Sequence, residues 1–144
     1  VADLFYQNGM QDTAKIILLN MIENTNENFQ IVQEYGNKLI EYGFYEDAVL
    51  IFKYLTDLRE EFPQSFRDYA LACDWAGRYQ EAYDVIISIL SKDWTRFNAI
   101  KMIVFNELNG LMASHKEQIN TKGISPLLGT YADEIKGCDF LEYR

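Results

Sequence analysis

His115 is the single histidine of the 144 residues, so imidazole-based catalysis would have to run through it. It follows Ser114, but no Gly-x-Ser-x-Gly elbow surrounds that serine. One histidine also excludes a multi-histidine metal site. The two cysteines, Cys73 and Cys138, do not stand in a metal-ligand spacing. Cys73 sits among apolar residues and reads as a small core residue, while Cys138 lies near the chain end. A disulfide between them stays open, with nothing in the spacing to support it. Acids occur as neighbours, at Glu46-Asp47, Glu60-Glu61 and Asp133-Glu134. Solvated helix ends carry charge in this way, and two acids flanking a pocket cannot be inferred from it. There is no Gly-rich phosphate loop and no calcium-loop spacing. Residues of reactive type are too few and too scattered for an active site. The expectation is a protein that is not an enzyme and uses no metal and no cofactor.

The overall charge narrows the partners. Lys plus Arg is 13 and Asp plus Glu is 22, a formal net charge of −9. Such a surface is not built to neutralise phosphates, so no nucleic acid is expected as partner. Hydrophobic residues make up 49%, too many for a disordered chain. No run approaches the ~20 apolar residues of a membrane span. The most apolar stretch, Ile16 to Ile22, is broken by Asn20, so no membrane insertion is expected. The prolines are Pro63 and Pro126, and a first half almost free of proline suits long helices.

What positions these residues is a repeat. Gly9, Gly43 and Gly77 are spaced by 34, and so are Ala14, Ala48 and Ala82. Tyr35 matches Tyr69, Tyr45 matches Tyr79 and Gly36 matches Ala70 at the same offset. Between the glycines lie two helical patterns. Val32, Tyr35, Gly36 and Leu39 fall at i, i+3, i+4 and i+7, and Phe66, Tyr69, Ala70 and Cys73 repeat them. Ala48, Phe52 and Leu55, then Ala82, Ile86 and Ile89, give one stripe each on the following helices. Each glycine is placed to end a helix in the left-handed conformation. The acids and amides after it favour the start of the next helix. Small residues at Gly36, Ala70 and the three alanines let helices approach closely. The predicted fold is all-α, about seven helices in stacked antiparallel hairpins that form a short right-handed superhelix.

This 34-residue helix-turn-helix unit resembles the tetratricopeptide repeat. Full units are expected at 29–62 and 63–96, after a half repeat at 1–28. In that half repeat, Val1, Ala2 and Phe5 match the end of a first helix and 10–24 its partner. The pattern thus starts in mid-unit, as in a piece of a longer polypeptide. Val32 or Phe66 stands where the family motif opens on Trp, and the late Pro63 predicts a helix extended over 45–60. A capping helix is expected over 95–113, because its stripe of Ile100, Ile103, Val104, Leu108, Leu111 and Met112 lacks the glycine and alanine signals. Residues 114–144 read as an irregular tail or linker, with a short helix around 129–136. The stretch from Trp94 to Leu111 is similar to the segment after tetratricopeptide repeats in large bacterial envelope proteins that carry an inter-α-trypsin-inhibitor-type domain. That similarity leans localisation toward the bacterial envelope, with the cytoplasm as the alternative.

The resemblance implies a peptide-binding groove lined by the first helix of each unit. Counting back 13 residues from Gly43, Gly77 and the next position of the period, Leu111, aligns Gln30, Gln64 and Asn98 as an amide row. Counting back 10 aligns Gln33, Arg67 and Lys101 as a row ending in two cations, and counting back 6 aligns Asn37, Leu71 and Phe105 as a row turning apolar. Asp74 follows Ile40 in a fourth row. Amides can bond an extended backbone, cations an acidic group, and Leu71 with Phe105 an apolar side chain. Asn37, Arg67 and Lys101 match part of the carboxylate-holding set of some family members, but Gln33 replaces its first cation. The function expected is a protein-protein interaction module for a peptide or partner domain. The alternative is a structural spacer or self-association segment, with a homodimer as the partner. Trp75 lies off the packing stripe, as an exposed anchor or packed on a neighbouring helix.

Overall fold

The computed structural model describes residues 1–24, 28–96 and 99–120. Seven α-helices account for most of these: α1 (Ala2–Gln7), α2 (Gln11–Asn24), α3 (Phe29–Glu41), α4 (Tyr45–Leu58), α5 (Pro63–Trp75), α6 (Tyr79–Ser91) and α7 (Ile100–His115). A short 3-10 turn follows at Lys116–Gln118, and no strand occurs among the described residues. Consecutive helices pack against one another from α1 to α7. The expected helix at 129–136 and Cys138 lie outside the described residues.

The period of 34 is set by one turn used three times. Gly9, Gly43 and Gly77 have φ of 79°, 85° and 77°, a region that a Cβ makes costly. At the middle turn, Gly43 N–H donates to the Ile40 carbonyl and Phe44 N–H to the Leu39 carbonyl. This pair of bonds closes the end of α3 as a Schellman motif. Gly9 and Met10 bond Tyr6 and Phe5 in the same way, and Gly77 and Arg78 bond Asp74 and Cys73. The residue after each glycine then begins the next helix. The carbonyls of Met10, Phe44 and Arg78 accept from the N–H groups of Ala14, Ala48 and Ala82. One glycine therefore ends a helix, reverses the chain and starts its antiparallel partner.

The same alanines lie on the hairpin seam. Ala14 and Ala48 are fully buried and Ala82 nearly so. Opposite them the first helices carry their own small residues. A Cβ added at Gly36 would sit 3.0 Å from Cζ of Phe52 and 3.4 Å from Cγ2 of Ile51. One repeat later Ala70 replaces Gly36 and Ile86 replaces Phe52, and both line one small cavity. The smaller residue thus faces the larger ring, and the larger residue faces the smaller chain. The core runs through the whole stack, from Leu18 and Ile22 through Phe52 and Leu55 to Tyr83, Leu90 and Leu108.

Three helix limits differ from expectation. The helix expected over 45–60 ends at Leu58, because Arg59 leaves helical geometry at φ −133°. Its guanidinium turns back over the rings of Phe29, at 4.2 Å, and Phe62, at 4.9 Å. Phe62 is extended, as a residue before proline must be, and Pro63 opens α5 at a position where its missing N–H costs nothing. The capping helix expected over 95–113 is α7, Ile100–His115. Trp94 holds the chain back from helix there. Its ring is buried, its indole N–H donates to the Ile89 carbonyl at 2.9 Å, and Phe66 packs against it. The expected tail does not begin at 114, since Ser114 and His115 still belong to α7 and Ile119 is buried.

Trp94 also marks where the period fails. α5 begins 63 − 29 = 34 residues after α3, whereas α7 begins 100 − 63 = 37 after α5. Counting by 34 therefore does not carry into the last helix.

Candidate functional site

The first helices α3, α5 and α7 carry the residues expected in the groove, Asn98 excepted. Their polar side chains are largely committed to each other. Gln33 on α3 donates its amide to Asp68 Oδ2 on α5 at 2.9 Å, and Gln64 donates to Asp68 Oδ1 at 2.9 Å. Arg67 gives Nε and Nη2 to Glu107 Oε1 on α7, at 2.8 and 2.6 Å. At the other end Lys38 on α3 pairs with Asp3 on α1 at 3.5 Å and with Glu41 at 3.3 Å. A ladder of side-chain bridges thus joins each first helix to the next.

These bridges correct the expected rows. Arg67 is not open to an acidic ligand, because Glu107 neutralises it and raises its pKa further. Phe105 is only 7% exposed and belongs to the core, so it cannot pair with Leu71 to take an apolar side chain. Asn98 lies outside the described residues. Gln30, Asn37, Gln64 and Asp74 are exposed, and Gln33, Leu71 and Lys101 are half-buried. Leu71, Asp74, Glu107 and Leu111 converge on one small cavity beside α6. The structure therefore brings together Gln33, Gln64 and Arg67, but around Asp68 and Glu107, which the row count missed.

The signal for Asp68 was present. Asp3 to Lys38 and Gln33 to Asp68 each span 35 residues, one repeat plus one. A search for complementary pairs at that spacing finds both. It does not find Glu107, which lies 40 residues from Arg67 because α7 is displaced.

The charge of this face is acidic. The first helices hold Asp3, Glu34, Glu41, Asp68, Asp74 and Glu107 against Lys38, Arg67 and Lys101, so 3 − 6 = −3. Burial raises the pKa of Asp68, although both amides and Arg67 oppose that shift. The chain matches no family model, no curated protein and no solved structure. The geometry of the site must therefore carry the functional argument by itself.

Among the described residues no group of three His, Cys, Asp or Glu is placed to hold a metal ion. Among the described residues no helix is long and apolar enough to cross a membrane. His115 stacks on Tyr79 with ring centroids 3.6 Å apart and bonds Gln118 through Nδ1 at 2.9 Å. Cys73 is buried, and its thiol and the Tyr69 hydroxyl both donate to Glu81 Oε2, at 3.2 and 2.6 Å. Burial, then the Glu81 carboxylate, push both pKa values up, which keeps the thiol protonated and unreactive.

That cluster makes stability depend on pH. The Tyr69 hydrogen bond, then those of Cys73 and Arg78, hold the Glu81 carboxyl below its usual range. A depressed folded pKa contributes stability above the unfolded value near 4.5, and that stability is lost as pH falls through the folded value. Glu81→Gln should remove this share, about 1 kcal/mol or less for a group so open to solvent. Urea midpoints measured between neutral and acid pH should fall less steeply for the variant. Parallel curves would mean that the cluster does not sense protons.

Proposed function

We propose that this chain is a non-catalytic protein-protein interaction module, a scaffold of tetratricopeptide type that holds a peptide or partner domain against its first helices. The observation that carries this reading is the way the first-helix face is built. Side-chain bridges fix the spacing of α1, α3, α5 and α7, while Gln30 and Asn37 stay exposed on α3 and Gln64 on α5. The helices that carry these amides are set at fixed spacing before any segment arrives, which lowers the cost of binding an extended backbone. The net charge of this face turns the expected preference around, toward neutral or basic segments and away from acidic ones.

A second reading, self-association or a structural spacer, draws on a different surface. Ile16 on α2 and Leu50 on α4 occupy equivalent positions and are exposed, with Leu58 further along α4. Scattered exposed apolar residues are ordinary, but a row across neighbouring helices favours contact between copies.

The test compares two variants in one capture experiment. Gln30→Arg/Asn37→Arg changes the first-helix face, and Leu50→Ser changes the second-helix face. The groove reading expects a bound peptide or protein to be lost at least ~10-fold with the first variant and kept with the second. The self-association reading expects sedimentation to show a dimer that Leu50→Ser dissociates. A monomer whose binding neither variant alters would refute both.

A further inference from the structure

An exposed aromatic pair lies at the edge of the stack where the glycine turns sit. Trp75, the last residue of α5, is 61% exposed. Its ring stacks on Tyr45, the first residue of α4, with centroids 5.8 Å apart and planes 21° from parallel. Tyr79 and His115 make the equivalent pair one repeat on, so a ring clasp across this edge is part of the packing. Packing does not require the size or the exposure of Trp75, however, since His115 serves the same place half-buried. Next to the Trp75 pair is an open cleft of about 280 Å³, lined by Gly43, Phe44, Tyr45, Glu46, Asp47 and Ala76.

The chain itself shows which chemistry this edge accepts. Lys15 brings its ammonium 3.0 Å from Asp47 and over the Phe44 ring at 5.5 Å. Arg78 takes Glu46 and Glu81. Both internal ligands of the edge are cations held by a carboxylate, one of them with an aromatic face. After these pairings the edge remains acidic, since Glu46, Asp47 and Glu81 face Lys15 and Arg78, so 2 − 3 = −1. The last turn of α5 carries no basic residue, so the negative end of its dipole is not offset by a side chain.

We infer that the Trp75–Tyr45 edge, with the adjoining cleft that Glu46 and Asp47 line, binds a lysine or arginine side chain of a protein partner. The cation would lie against the open face of Trp75, toward the Glu46 and Asp47 carboxylates of the cleft. This surface is separate from the first-helix amides and does not need them.

The experiment uses fluorescein-labelled oligolysine and oligoglutamate peptides at low ionic strength. Trp94 is buried, so quenching of the exposed Trp75 supplies a second readout. Oligolysine is expected to bind saturably and to weaken with salt, and oligoglutamate not to bind. Trp75→Leu should weaken oligolysine about 3–10-fold, and Glu46→Gln should weaken it less, with helix content unchanged in both. Failure of oligolysine to saturate, equal binding of oligoglutamate, or full affinity in Trp75→Leu would each overturn the proposal. The Gln30→Arg/Asn37→Arg variant separates the two surfaces. If it alone weakens oligolysine, the cation binds the first-helix face and the edge assignment falls while the scaffold reading stands. If Trp75→Leu alone weakens it, the edge assignment holds whatever the capture experiment gives.

Discussion

Phe52→Ala should lower the unfolding free energy by about 3–5 kcal/mol, the usual cost of emptying a buried phenylalanine site. Phe52 is 1% exposed at the middle of the stack, and its ring edge lies where Gly36 leaves room for it. The variant loses the ring's transfer free energy and leaves a void that the hairpin cannot close, because the Gly43 turn and the Ala48 seam fix both helices. Urea unfolding followed by circular dichroism measures it, and a loss below about 1 kcal/mol would mean that the ring is not packed as described. The pairing also predicts a rescue. Gly36→Ala alone gains helix propensity but forces the ring to move. Together with Phe52→Ile it reproduces the Ala70 and Ile86 pair of the next repeat and should cost less than either change predicts by addition.

Ala48→Leu is expected to destabilise by about 1–3 kcal/mol for the opposite reason, overpacking. Ala48 is fully buried, and its N–H closes the turn on the Phe44 carbonyl, so the backbone cannot retreat. The added atoms must push α3 from α4 or force side chains off their rotamers. The effect is read in the same unfolding experiment, with Leu50→Ser on the exposed side of α4 as a control expected near zero. Unchanged stability of Ala48→Leu would mean that the seam runs elsewhere.

The architecture was legible because each signal had a local physical cause. Glycine tolerates positive φ, alanine allows close approach, and apolar residues at helical spacing must be buried, so Gly43, Ala48 and Leu39 announce themselves in the sequence. The site was less legible. Counting by 34 placed Phe105 in a groove row, but the register of α7 depends on the link that seats Trp94, and no period governs that link. Arg67 looked available because its partner Glu107 lies on that displaced helix. Asp68 went unnoticed because the count treated each row separately, while bridges between parallel first helices join position n to position n + 1 of the next unit. The exposure of Trp75 was one of two outcomes open from the sequence, and the structure shows both, since the ring is exposed and also stacked on Tyr45.

The three identical turns have a consequence for how such a chain can be rebuilt. Each closes on its own backbone bonds and on a glycine, and side chains add to this only locally, as where Arg78 after the third turn pairs with Glu46 and Glu81. Cutting at Gly43 and again at Gly77 releases a cassette whose two ends share one geometry, so it can be excised, duplicated or exchanged without resetting the helices on either side. Ser91 to Ile100 offers no such splice point, because the indole of Trp94 locks that crossing to α6 and sets α7 out of step with the units before it.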